Sequence, residues 1–104
     1  MKPMYNVSRE IKEKLDILEK LGRHQKKDLD GIVNDSIERL YDEYDDVEDS
    51  LIKRHASDKD EKIYCDIVPE NKVRMEEMKI GAIKDISTLV NVAIAYQYSK
   101  IIPG

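Results

Sequence analysis

The sequence predicts a mainly α fold carrying a short antiparallel β-ribbon, built from two copies of a strand, helix, helix unit. Three observations lead there. Apolar residues recur at helical spacing through most of the chain. Two short segments, Met4–Val7 and 62–68 (KIYCDIV), instead read as strands, the second by its alternation and β-branched residues. After residue 61 the order of elements begins again.

Taken in order, Ser8 follows the first segment and its hydroxyl suits the cap of a helix beginning at Arg9. Ile11, Leu15, Leu18 and Leu21 form that helix's apolar stripe, and Gly22 is expected as its left-handed stop. Asp28 suits the cap of a second helix whose buried side holds Leu29, Ile32, Val33, Ile37, Leu40, Tyr41 and Tyr44. The stripe continues through Val47, Leu51 and Ile52, as one long helix or as a further short one, before a polar linker at 55–61. After the second strand, Pro69 fits the first turn of a helix with Val73, Met75, Met78 and Ile80 on its apolar face. Lys84 and Asp85 open a last helix carrying Ile86, Leu89, Val90, Ala93, Ile94 and Ile101.

The halves superpose at a shift of 60 through strand and first helix, which sets Asn6 on Asp66, Val7 on Ile67, Leu15 on Met75 and Leu18 on Met78. In the second helix the shift is 57, setting Asp28 on Asp85, Ile32-Val33-Asn34 on Leu89-Val90-Asn91, and Ser36-Ile37 on Ala93-Ile94. The implied organisation is a first unit at 1–44, an acidic helical connector and linker at 45–61, and a second unit at 62–104. Strands some sixty residues apart need each other, or a copy from another chain, to satisfy their edges.

Composition bounds the function. Eighteen basic and 22 acidic residues leave a net charge of −4, which by itself points away from a general nucleic-acid binder. Divided along the chain, the charge is +4 over 1–27, −9 over 28–61 and +1 over 62–104, so the acidity is confined to the middle. The single cysteine, Cys65, excludes an intrachain disulfide and is expected as a small core residue. His24 and His55 lie in polar stretches and are expected at the surface. No apolar run approaches the roughly 18 residues that span a bilayer, and MKPMYNVSRE has no signal-peptide core, so a cytoplasmic protein is expected. No nucleophile elbow, phosphate loop or carboxylate pair is present, and neither an enzyme nor a cofactor is expected.

With these residues in place, the chain resembles the ribbon-helix-helix transcription regulators of the Arc and MetJ type, in tandem form, similar to small regulators of archaea and their viruses. The resemblance implies a sequence-specific regulator that lays its ribbon in the major groove of double-stranded DNA, on an imperfect palindrome, with possible self-association. A viral member would act in the host cytoplasm. Alternation turns Ile63, Cys65, Ile67, Tyr5 and Val7 inward, leaving Lys2, Met4, Asn6, Lys62, Tyr64 and Asp66 toward bases. Asparagine suits adenine, lysine guanine or phosphate, Met4 and Tyr64 a thymine methyl, and Asp66 a cytosine amine.

In the family the start of the second helix commonly clamps a phosphate. The matching Asp28 and Asp85 are carboxylates that would repel it, so the expectation moves to Arg23, Lys26, Lys27, Lys84 and Ser87. Ser36 and Ala93 match the small residues that let the second helices cross closely. A rival expectation is an antitoxin-like interaction module that covers a partner with its acidic segment, DNA binding being secondary. Another is a plain helical assembly bundle.

Overall fold

The computed structural model describes residues 2–22, 27–55, 59–79, 83 and 85–102. Strand β1 (Met4–Val7) leads into α1 (Arg9–Gly22), α2 (Leu29–Asp42), a 3-10 turn (Tyr44–Asp46) and α3 (Asp49–Arg54). Strand β2 (Glu61–Tyr64), α4 (Pro69–Met78) and α5 (Ile86–Ile101) then follow. The chain is therefore mainly helical, with one two-stranded antiparallel sheet joining β1 to β2. Among the described residues no helix is long and apolar enough to cross a membrane.

The helix starts follow from local chemistry. Ile11 N–H donates to Ser8 Oγ at 3.1 Å, Gly31 N–H to Asp28 Oδ1 at 2.9 Å, and Thr88 N–H to Asp85 Oδ1 at 2.8 Å. Each cap satisfies a backbone donor that the helix cannot. Pro69 occupies the first turn of α4, where its missing N–H costs nothing. The connector resolves into a short turn and a short helix, since α2 ends at Asp42 and the apolar stripe restarts at α3.

Beneath the ribbon, Val7, Ile11, Leu15, Leu18, Ile32, Val33, Ile37, Leu40, Met75, Met78, Leu89, Val90 and Ile94 form one core. Helix α5 packs against α2, α1, α3 and β1, and residues 88–97 are all buried. A helix apolar all round belongs inside, and α5 is the central one. Ser36 and Ala93 are both buried, and α2 and α5 pack together.

Several expectations change. Gly22 is the last residue of α1 and has no left-handed backbone; an added Cβ would lie 3.1 Å from Ile32 Cδ1 and 3.3 Å from the Lys27 carbonyl. Close approach of α2, not chain reversal, is what the glycine serves. Leu21, Val73 and Ile101 lie outside the core at 44%, 59% and 46% exposure. On α4 the inward stripe is Asn71, Met75 and Met78, which repeats Ile11, Leu15 and Leu18 at the shift of 60. Ile80 lies outside the described residues. The ladder of β2 ends at Tyr64 instead of continuing through Val68, although Cys65 N–H still donates to the Pro3 carbonyl at 3.1 Å. Inward and outward alternation nevertheless persists, with Cys65 and Ile67 buried and Asp66 exposed.

His55 is the largest departure. At the end of α3 it is only 5% exposed, with Nε2 3.6 Å from Glu10 Oε2 on α1. Burial pushes its pKa below the ordinary value, against the pull of Glu10, and Arg54 and Lys14 add to the depression. A polar neighbourhood in sequence gave no warning, because α3 packs onto α5 and brings Arg54 and His55 to Glu10 of α1. His24 lies outside the described residues.

Candidate nucleic-acid interface

The ribbon register pairs Met4 with Tyr64, Tyr5 with Ile63, Asn6 with Lys62 and Val7 with Glu61. Met4 and Tyr64 are also equivalent under the shift of 60, so the pairing is centred on this couple. Continued outward, the register sets Asn6 and Lys62 at one end of the outer face, with Lys2 and Asp66 at the other. Met4 and Tyr64 are 43% and 55% exposed at the centre of that face. Lys2, Lys62 and Asp66 are exposed and Asn6 is half-buried, while Val7, Ile63 and Cys65 anchor the inner face. The six residues expected to face outward thus share one face. Tyr5, expected inward, is half-buried and packs against the core.

Each end of the ribbon is tied down by an asparagine from a second helix. Asn91 Nδ2 donates to the Asn6 carbonyl at 3.0 Å and Asn91 Oδ1 accepts from Ser8 N–H at 2.9 Å. Asn34 Nδ2 donates to the Asp66 carbonyl at 3.0 Å and Asn34 Oδ1 accepts from Val68 N–H at 3.0 Å. Asn34 and Asn91 are 57 residues apart and their targets 60 apart, so the same two bonds occur twice, each helix holding the strand of the other half. Each amide also bonds the carbonyl four residues back, of Asp30 at 2.7 Å and Ser87 at 2.6 Å. An asparagine with both groups satisfied fixes the strand-to-helix junction and hence the direction in which the ribbon faces.

The ends differ in charge. Lys2 Nζ lies 2.8 Å from Asp30 Oδ2, and this hydrogen bond holds the Asp30 carboxyl below and the Lys2 ammonium above their ordinary pKa values. Asp66 and Asp28 add to the negative surroundings of Lys2. At the other end Lys12 Nζ reaches the Lys62 carbonyl at 3.3 Å, placing a second ammonium nearby. Among the described residues the side chains of Asn6, Lys62 and Tyr64 make no hydrogen bond or ion pair.

The expected phosphate contacts are less well assembled. Arg23, Lys26 and Lys84 lie outside the described residues. Lys27 is exposed but paired with Asp35, and Ser87 is half-buried in the first turn of α5. The helix starts themselves carry carboxylates. Burial alone would raise the Asp85 pKa, but hydrogen bonds from Thr88 and Lys59 outweigh it and hold the carboxyl below its ordinary range. Cys65 is fully buried, and burial pushes its thiol up to about 11, as suits a core residue. Among the described residues no group of three or more His, Cys, Asp or Glu side chains is placed to hold a metal ion.

Sequence reasoning placed the outward residues but missed Asp30, Lys12 and the clamping asparagines. For Asn34 and Asn91 a signal existed. A polar residue recurs at the matched position of the two helices, directly after a pair of buried apolar residues, where it needs a fixed partner. Comparison with protein-family models, curated proteins and solved structures returned no match.

Proposed function

We propose that this protein is a sequence-specific regulator that binds double-stranded DNA by inserting its two-stranded ribbon into the major groove, as a tandem ribbon-helix-helix chain. The observation that carries the reading is the outer face of the ribbon: three cross-strand couples centred on Met4 and Tyr64, held at both junctions by Asn34 and Asn91. A two-stranded ribbon fits the major groove, and a rigid one presents its side chains at fixed spacing to base edges. Asn6 offers adenine both a donor and an acceptor, and Lys62 offers a cation to guanine or phosphate. Met4 and Tyr64 supply apolar contact for a thymine methyl, and Asp66 an acceptor for a cytosine amine.

Because the centre of the ribbon relates unlike residues, the matching duplex is an imperfect palindrome. The acidity of the connector keeps nonspecific attraction low, which sharpens discrimination at a specific site. Cytoplasmic residence, free or in a host cell, accords with such a role. The test is a competition binding assay at fixed salt. Replacing Asn6 and Lys62 together by Ala removes the preference for the selected duplex, since each base contact contributes about 1–3 kcal/mol of discrimination. Replacing Lys2 and Asn6 tests the same face from its two ends. Undiminished preference in both variants overturns the ribbon assignment.

A further inference from the structure

We propose that Asp30 latches Lys2 and so makes the ribbon read DNA mainly from its other end, through Asn6 and Lys62; this rests on the DNA-binding reading above. The geometry behind it is a broken equivalence. Lys2 corresponds to Lys62 at the shift of 60, and Asp30 corresponds to Ser87 at the shift of 57. Asp30 is held from both sides: Oδ1 accepts from Asp66 N–H at 3.1 Å, and Oδ2 takes the Lys2 ammonium at 2.8 Å. The backbone bond fixes the carboxylate before the lysine arrives, so the pair needs little further ordering. Ser87, at the matched place, carries no charge, and Lys62 has no carboxylate partner among the described residues.

The consequence follows from charge. A duplex approaching the Lys2 end meets one ammonium already engaged and the carboxylates of Asp28, Asp30 and Asp66. At the Asn6 end it meets Lys62 and Lys12, with an amide side chain free to bond a base. Asp16, Glu19 and Glu61 lie near this end, yet among the described residues none of them pairs with Lys62 as Asp30 pairs with Lys2. Like charge facing a phosphate weakens binding and sets orientation, so the preferred ligand is a duplex with one strong and one weak half-site. Asp30 acts through Lys2 and not on the base, which makes it a positioning residue.

Asp30→Asn and Ser87→Asp test this on the full chain. Asp30→Asn keeps an acceptor for Asp66 N–H and removes only the charge; Ser87→Asp copies the latch onto the Lys62 end. The probe is the duplex enriched by the wild-type protein, with each half scrambled in turn, and affinity is followed against salt. Wild type loses much more affinity from one scrambled half than from the other. In Asp30→Asn the two losses converge and the slope of log affinity against log salt steepens by about 0.9, one added phosphate contact, or about three- to fourfold between 50 and 200 mM salt. Ser87→Asp flattens that slope. Equal losses in wild type, or an unchanged slope and ratio in Asp30→Asn, overturn the latch while leaving DNA reading intact. A wild-type protein that prefers no duplex overturns the parent reading, and the latch with it.

Discussion

Helices α2 and α5 sit at matched places in the two halves, cap with aspartate and carry the same clamping asparagine, yet their surroundings diverge. Helix α2 buries one face, through Ile32, Val33, Ser36, Ile37 and Leu40, and shows solvent the other. Helix α5 is buried from Thr88 to Gln97 because α3 covers it as well, with Leu51 and Ile52 half-buried against the core. The two helices are held alike at the ribbon and separated by burial elsewhere. Where the halves meet at the ribbon the same hydrogen bonds recur, and where only one half meets the connector the sequence follows burial.

Exchanging residues between matched positions of α2 and α5 has the largest expected effect. Val92 is fully buried at the position that matches Asp35, whose side chain is about one-third exposed and paired with Lys27. Val92→Asp strands a charge in the interior and costs more than about 3 kcal/mol, a large share of a small domain's stability. Asp35→Val loses only a surface pair and changes stability by less than about 1 kcal/mol. Urea denaturation of both variants measures the contrast, and similar losses would contradict the burial difference.

Next in size are the asparagines. Asn91→Ala leaves Ser8 N–H and the Asn6 carbonyl without their partner at a fully buried side chain, at a cost of about 1–3 kcal/mol. Asn34→Ala removes the same junction bonds where water reaches them, but also the Oδ1 acceptor of the buried Asn71 amide, so its cost is comparable, about 1–3 kcal/mol. Amide exchange at Ser8 and Val68 reports each junction separately.

The connector supplies a pH signature. The His55 pKa lies below 6.5 in the folded chain, so the unfolded chain takes up a proton first as pH falls through that value. Stability therefore drops between about pH 7 and the depressed folded pKa, by at most about 1.4 kcal/mol per pH unit. In His55→Leu this slope disappears, whatever the variant's absolute stability. The smallest effect is at Cys65, where a thiol held up at about 11 and closed to solvent resists labelling at pH 8 until the chain unfolds.

What was legible in the sequence is the part governed by local periodicity. Strand alternation set the outward residues, Ser8, Asp28 and Asp85 announced their helices, and the shifts of 60 and 57 paired the halves. Residues governed by long-range packing were not legible. His55 looked solvated because nothing in 55–61 shows that α3 returns to Glu10. Val73 fitted a plausible stripe, yet Asn71 takes the inward place because it bonds Asn34 across the helix pair, at 2.9 Å to Oδ1. At the candidate interface, the Lys2 and Asp30 pair joins residues 28 apart that no spacing rule connects.

The decisive property is whether the ribbon reads sequence. Selection of duplexes from a random pool by the intact protein, at a salt concentration that suppresses nonspecific binding, tests this most directly. The predicted result is enrichment of an imperfect palindrome with one half better defined than the other. Salt-sensitive retention with no enriched sequence would contradict it.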